Sequence, residues 1–138
     1  MQQKSLKSKM KVDKIHSDSR GDIFLLFGDT LKEHEEITIF TTKKGYARGG
    51  CIHNNNDEYC SVLEGEITYY VGKKTVIYMK MKKGDTIKIP KGTPHYFVAT
   101  KDCIVMEWGA TPKEKLEKHK EFRKMVDDIN GRREKEGR

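Results

Sequence analysis

Cys51, His53, Glu58 and His95 are the residues whose types could do chemistry. A thiol, two imidazoles and a carboxylate exchange protons or hold ions near neutral pH. Their spacing suggests a shared site. Cys51 and His53 lie two apart, so on one strand they point to the same face. The polar run Asn54-Asn55-Asn56-Asp57 reads as a tight loop, after which Glu58, Cys60 and Val62 share the inward face of a returning strand. Such a hairpin sets Glu58 beside His53. His95 follows Pro90, Gly92 and Pro94, which fix a rigid turn before a strand, and in a rolled sheet that strand end closes on the hairpin. The spacing predicts a pocket and leaves its chemistry open.

The positioning elements are short strands. Signals rich in β-branched and aromatic residues run over Ile23–Phe27, Ile37–Thr42, Tyr59–Leu63, Ile67–Val71, Thr75–Met81, Thr86–Ile89, Tyr96–Ala99 and Ile104–Trp108. Lys44-Gly45, Glu64-Gly65, Val71-Gly72 and Lys83-Gly84 punctuate them. This density predicts an all-β sandwich or barrel. The period then changes. Thr111, Pro112 and Glu114 form an N-cap, first-turn proline and capping-box acid, and Asn130-Gly131 a C-cap. Between them Phe122, Met125, Val126 and Ile129 make one apolar stripe, predicted to pack on the outside of the barrel, with a dimer contact as the alternative.

The 138 residues suffice for one core. They divide into a flexible basic tail over 1–12, a barrel over 13–110, and a helix with a charged tail over 111–138. The net charge of +7 sits in the tails: residues 1–12 hold four lysines and no acid, and residues 111–138 hold ten basic against seven acidic side chains. The neutral body lacks the basic face that nucleic-acid binding needs. Three cysteines without CxxC spacing argue against a disulfide framework and for a reducing, cytoplasmic setting. No apolar run is long enough to span a membrane. Trp108 reads as barrel filling, and one of Tyr69 and Tyr70 must face in; His16, His34 and His119 read as exposed.

G-C-I-H-N-N-N-D-E-Y-C-S-V-L-E-G, from Gly50 to Gly65, resembles the first motif of the cupin superfamily, and G-D-T-I-K-I-P-K-G-T-P-H, from Gly84 to His95, resembles the second. Eighteen residues separate them. The resemblance implies a double-stranded β-helix, a jelly-roll barrel commonly found as a homodimer, whose mouth carries a site built from both motifs. Metal-holding cupins offer His-x-His, a Glu and a second-motif His. Carried onto this chain, that set becomes His53, Glu58 and His95, with Cys51 in place of the missing His. It suits ferrous iron or zinc, and a thiolate would tilt the choice to zinc. The alternative is that Cys51 is a small buried hydrophobe and no metal binds.

Ser19-Arg20-Gly21-Asp22-Ile23 and Tyr46-Ala47-Arg48-Gly49-Gly50 look like small cupins acting on nucleotide-linked keto-deoxysugars, the 3,4-ketoisomerases and the epimerase-like cupins of capsular polysaccharide synthesis. That resemblance implies proton transfer beside a carbonyl. His53 is the candidate base, with Cys51, Tyr59 or Tyr96 moving the proton if a metal claims His53. Arg48 and Arg20 would meet the diphosphate, the alternative for Arg20 being a surface pair with Asp18 or Asp22. A metal-dependent oxygenase or lyase, and a non-catalytic ligand-binding cupin, remain the other readings.

Overall fold

The structure is a computed structural model and describes residues 10–28, 36–110 and 116–136. Most of the basic tail, His34 and the expected Thr111-Pro112-Glu114 cap lie outside the described residues. The chain folds as strands β1 (Met10–Asp18), β2 (Gly21–Gly28), β3 (Ile37–Thr42), β4 (Ala47–Ile52), β5 (Glu58–Glu64), β6 (Glu66–Val71), β7 (Ile77–Lys82), β8 (Thr86–Ile89), β9 (His95–Ala99), β10 (Cys103–Trp108) and β11 (Glu117–Lys118), followed by helix α1 (Lys120–Glu136). Two antiparallel sheets result, in the orders β1-β2-β3-β10-β5-β8 and β11-β4-β9-β6-β7. They pack face to face as a jelly roll, the all-β architecture expected from the strand density.

Alternation drives this packing. In β5, Glu58, Cys60 and Val62 are buried while Tyr59 and Ser61 are not. The core forms where such inward faces meet, from Cys60, Val62, Ile67, Tyr69, Val71, Met81, Ile89, Phe97, Ala99, Cys103 and Val105. Tyr69 faces in and Tyr70 faces out, where it stacks on Tyr96 at 4.6 Å. Gly65 ends the first motif with φ near +80°, and a Cβ there would lie 2.1 Å from the Asp102 carbonyl oxygen. Only glycine lets the β5–β6 turn sit directly on the start of β10.

Helix α1 covers the outside of the five-stranded sheet, with Phe122 and Val126 buried against Ala47 and Tyr96, and with Ile129 beside them. Each buried side chain of this kind stabilises by about 1.5–3 kcal/mol. Met125 departs from the expected stripe and is 44% exposed. The helix also begins later and ends later than its sequence signals. Residues 117 and 118 first pair with Ile52 and Cys51, and the His119 ring accepts from the Phe122 amide at 3.3 Å. His119 is therefore half-buried rather than exposed. Asn130-Gly131 does not cap the helix but lies within it. Asn130 instead accepts from Ala47 N–H at 2.7 Å and donates to Ala47 C=O at 3.1 Å, clamping β4 from outside. At the other end Met10–Val12, expected in the tail, belong to β1, paired with Leu26–Gly28.

Candidate metal centre

Each motif delivers its polar side chain at a strand end, where the sandwich opens. β4 ends at Ile52 and sets His53 immediately beyond; Glu58 begins β5; His95 begins β9. Backbone contacts fix their spacing: Gly92 N–H donates to His53 C=O at 2.7 Å, and Lys91 N–H to the Asp57 carboxylate at 2.9 Å. The Pro90-to-Pro94 turn is thereby tied to the hairpin loop, which joins the two motifs.

His53 Nε2 lies 2.6 Å from Glu58 Oε2, and His95 Nε2 lies 3.3 Å from Glu58 Oε1. One donor atom from each residue falls within 4.8 Å of the others. The two imidazoles stack at 5.6 Å. His95 Nδ1 lies 3.0 Å from the Thr93 carbonyl and donates to it, which leaves Nε2 as the nitrogen that faces Glu58. Burial alone would raise the Glu58 pKa, but hydrogen bonds from His53 and His95 outweigh it and hold the carboxyl below its ordinary value. Glu58 Oε1 is buried, and the 3.3 Å approach of His95 Nε2 leaves it without a well-aligned hydrogen bond. Two imidazoles, one carboxylate and an acceptor in need of a positive partner fit a divalent cation.

Above the three lies a cavity of about 410 Å³. Cys51, Arg20 and Arg48 line it. Cys51 does not join the cluster of ligand atoms, and burial raises its thiol pKa, with Arg123 opposing only in part. It is a half-buried thiol in the wall, with its neutral form favoured. Arg20 pairs with Asp18 at 2.7 Å and donates to Ala47 C=O at 3.3 Å. Tyr59 and Tyr96 do not line the cavity. Strand alternation turns Tyr59 away from Glu58 to stack on Trp108 at 5.6 Å, and Tyr96 lies under α1, edge-on to Phe122 at 4.9 Å. Neither phenol is placed to move a proton at the cluster.

Two cavity residues escaped the sequence reading. Glu107 faces the cavity from β10 and accepts from the Tyr69 hydroxyl at 3.1 Å. Burial first, then the Glu58 charge and a hydrogen bond with Glu58, push its pKa well above the ordinary carboxylate value. The same surroundings thus favour the protonated form at Glu107 and the charged form at Glu58. The signal was its parity with buried Cys103 and Val105 in C-I-V-M-E-W. Arg123 reaches in from α1 and donates to Gly49 C=O at 2.8 Å. No strand pattern could announce it.

A family model described as a cupin domain matches residues 38–109, just over half of the chain. The chain belongs to the cupin family. The match takes in His53, Glu58, His95, Arg48 and Glu107, whereas Arg20 and Arg123 lie outside it. Among solved structures, this cupin is similar to capsular polysaccharide assembling protein CapF from Staphylococcus aureus, with TM-score 0.64 and 16% identity over 79% of this chain and 34% of that one. It is similar to Bacillus subtilis oxalate decarboxylase, studied for its Mn(II) centres, with TM-score 0.65 and 13% identity over 81% of this chain and 32% of that one. Tomato vicilin gives TM-score 0.66 and 18% identity over 76% and 31%. This cupin spans about a third of each of those chains. No curated protein matches its sequence. Among the described residues no helix is long and apolar enough to cross a membrane.

Proposed function

We propose that this cupin binds a divalent metal ion, zinc or iron, through His53, Glu58 and His95, and isomerises or epimerises a keto sugar by proton transfer beside its carbonyl. The observation that carries the reading is the buried two-histidine, one-carboxylate cluster on the wall of a cavity sized for a small molecule. A metal held there supplies Lewis acidity to a carbonyl oxygen. His53 and His95 are then ligands and not bases. Glu107 takes over as the proton-holding group, at a carboxyl that Tyr69 orients. Ile23, Leu25, Phe40, Phe97 and Trp108 exclude water from the remaining walls. Nucleotide attachment belongs to the same proposal and rests on the resemblance of the Arg20 and Arg48 segments to nucleotide-sugar cupins; assembly as a homodimer rests on the resemblance of the two motifs to the cupin superfamily.

The same donor set favours one second reading, a metal-dependent lyase or oxygenase, because three ligands leave coordination positions open. Elemental analysis of purified protein, followed by NMR of a nucleotide-linked keto sugar in deuterium oxide, tests the choice. Deuterium entering beside the carbonyl, and its loss in Glu58→Gln, is the expected result. Release of carbon dioxide or uptake of oxygen without deuterium exchange would move the assignment to the second reading.

A further inference from the structure

The charge around the cavity is unevenly spent. Arg20, Arg48 and Arg123 line it together with Glu36, Glu58 and Glu107. A divalent ion on the His53-Glu58-His95 cluster would leave the lined space positive, which favours an anionic substrate. Arg20 and Arg123 are engaged, the first with Asp18 and Ala47 C=O, the second with Gly49 C=O and Asp127. Arg48 is different. It is only 3% exposed. Its Nε donates to Thr42 Oγ1 at 2.8 Å, its Nη2 to Thr41 C=O at 3.0 Å, and its guanidinium carbon lies 5.6 Å from the Phe40 ring centroid. Its Nη1 is buried and makes no hydrogen bond. Burial lowers the Arg48 pKa to about 10, so the side chain remains charged at neutral pH.

A guanidinium fixed on two sides, with its last nitrogen unpaired in an apolar wall, is a preorganised receptor for an oxyanion. The number of donors selects the anion. A diphosphate brings several charged oxygens and needs donors from several side chains, but the neighbouring guanidiniums are committed and one nitrogen remains. A carboxylate spreads a single charge over two oxygens and needs fewer donors, which the N–H groups of the one remaining nitrogen can supply. We infer that the carbonyl substrate of this site carries a carboxylate, as a keto acid or a keto sugar acid does, and that Arg48 Nη1 binds it inside the cavity. This rests on the reading of the site as a metal-assisted carbonyl centre, and replaces the diphosphate as the anion that Arg48 meets.

Levulinate and methyl levulinate probe the inference, because they differ in charge and the acid cannot chelate a metal through adjacent oxygens. Isothermal titration of the full chain, with metal content measured on the same sample, should show levulinate binding at least about tenfold tighter than the ester. Arg48→Gln should remove that preference, and Arg48→Lys should keep part of it. Inorganic phosphate and uridine diphosphate should bind without depending on Arg48. Equal affinity for acid and ester in wild-type protein overturns the inference even if Arg48→Gln fails to fold, and so does Arg48-dependent binding of uridine diphosphate tighter than that of levulinate. Metal present without the acid preference rejects the carboxylate and leaves the metal reading standing. An acid preference without metal rejects the metal reading and retains Arg48 as the carboxylate receptor.

Discussion

Replacing Gly65 and Gly92 with alanine separates the two costs that positive-φ glycines avoid. Their backbones are alike, with φ near +80° and +79°, and a non-glycine residue there costs about 1–2 kcal/mol. Their surroundings differ. A Cβ at Gly92 meets nothing within 4 Å, whereas one at Gly65 would lie 2.1 Å from Asp102 O and 2.8 Å from Cys103 Cα. Both obstacles are backbone and must retreat by roughly 1 Å to reach ordinary contact, since carbon–carbon contacts favour about 3.5–4.0 Å. Cys103 resists, being 4% exposed and paired with Thr42, and Asp102 is tied to Lys44 N–H at 2.8 Å. Displacements of this kind cost about 1–3 kcal/mol. Gly92→Ala should therefore lose about 1–2 kcal/mol and Gly65→Ala about 2–5 kcal/mol. Thermal unfolding followed by circular dichroism should separate the two midpoints by about 3–10 °C, and urea midpoints should fall in the same order. Equal losses would refute the steric argument and leave backbone conformation as the whole effect.

Glu58→Gln keeps the shape of the side chain but removes its charge, and should abolish metal retention by elemental analysis while the circular dichroism spectrum stays native. Asn130→Ala removes both hydrogen bonds to Ala47 and should cost about 1–3 kcal/mol, with faster amide exchange at Ala47; unchanged exchange there would show that α1 does not brace β4. Asp18 is held well below its ordinary pKa of 3.8, chiefly by hydrogen bonds from Arg20 against a burial effect that raises it. Its contribution is present above about pH 4 and disappears as pH falls through the lower folded value. Being about a third exposed, the pair contributes less than about 1 kcal/mol. Asp18→Asn should accordingly flatten the acid limb of a stability–pH profile slightly, its difference from wild type shrinking as pH falls below about 4.

Much of this architecture was legible because a half-buried strand alternates. The eight strand signals recur as β2, β3 and β5–β10, and the inward positions in β5 follow the pattern. Three strands were not legible as such, β1, β4 and the two-residue β11. A-R-G-G-C-I in β4 carries two glycines and little β propensity, and is strand through its pairing with β9 and the grip of Asn130. In β1, Val12 and Ile15 stand three apart and a bulge between Lys14 and His16 breaks the alternation, so its apolar residues define no side by pattern. Its pairing with β2 supplies what the pattern lacks. The helix boundaries failed where tertiary contact overrode local signals, since Asn130 serves β4 rather than the helix end. The motif residues were legible as a set; the upward pKa shifts of Cys51 and Glu107 depend on burial, which spacing does not encode.

The three clustered residues also divide between the two layers. His53 follows β4 and His95 opens β9, both in the five-stranded sheet, whereas Glu58 opens β5 in the six-stranded one. An ion gripped by all three would act as a rivet through the sandwich. The sheets could not part at this rim without breaking coordination, so the free energy of binding becomes resistance to opening, about 2.7 kcal/mol at a hundred times the dissociation constant. The rim where substrate enters would then be a clamped end of the molecule, with strand separation left to start from the opposite end.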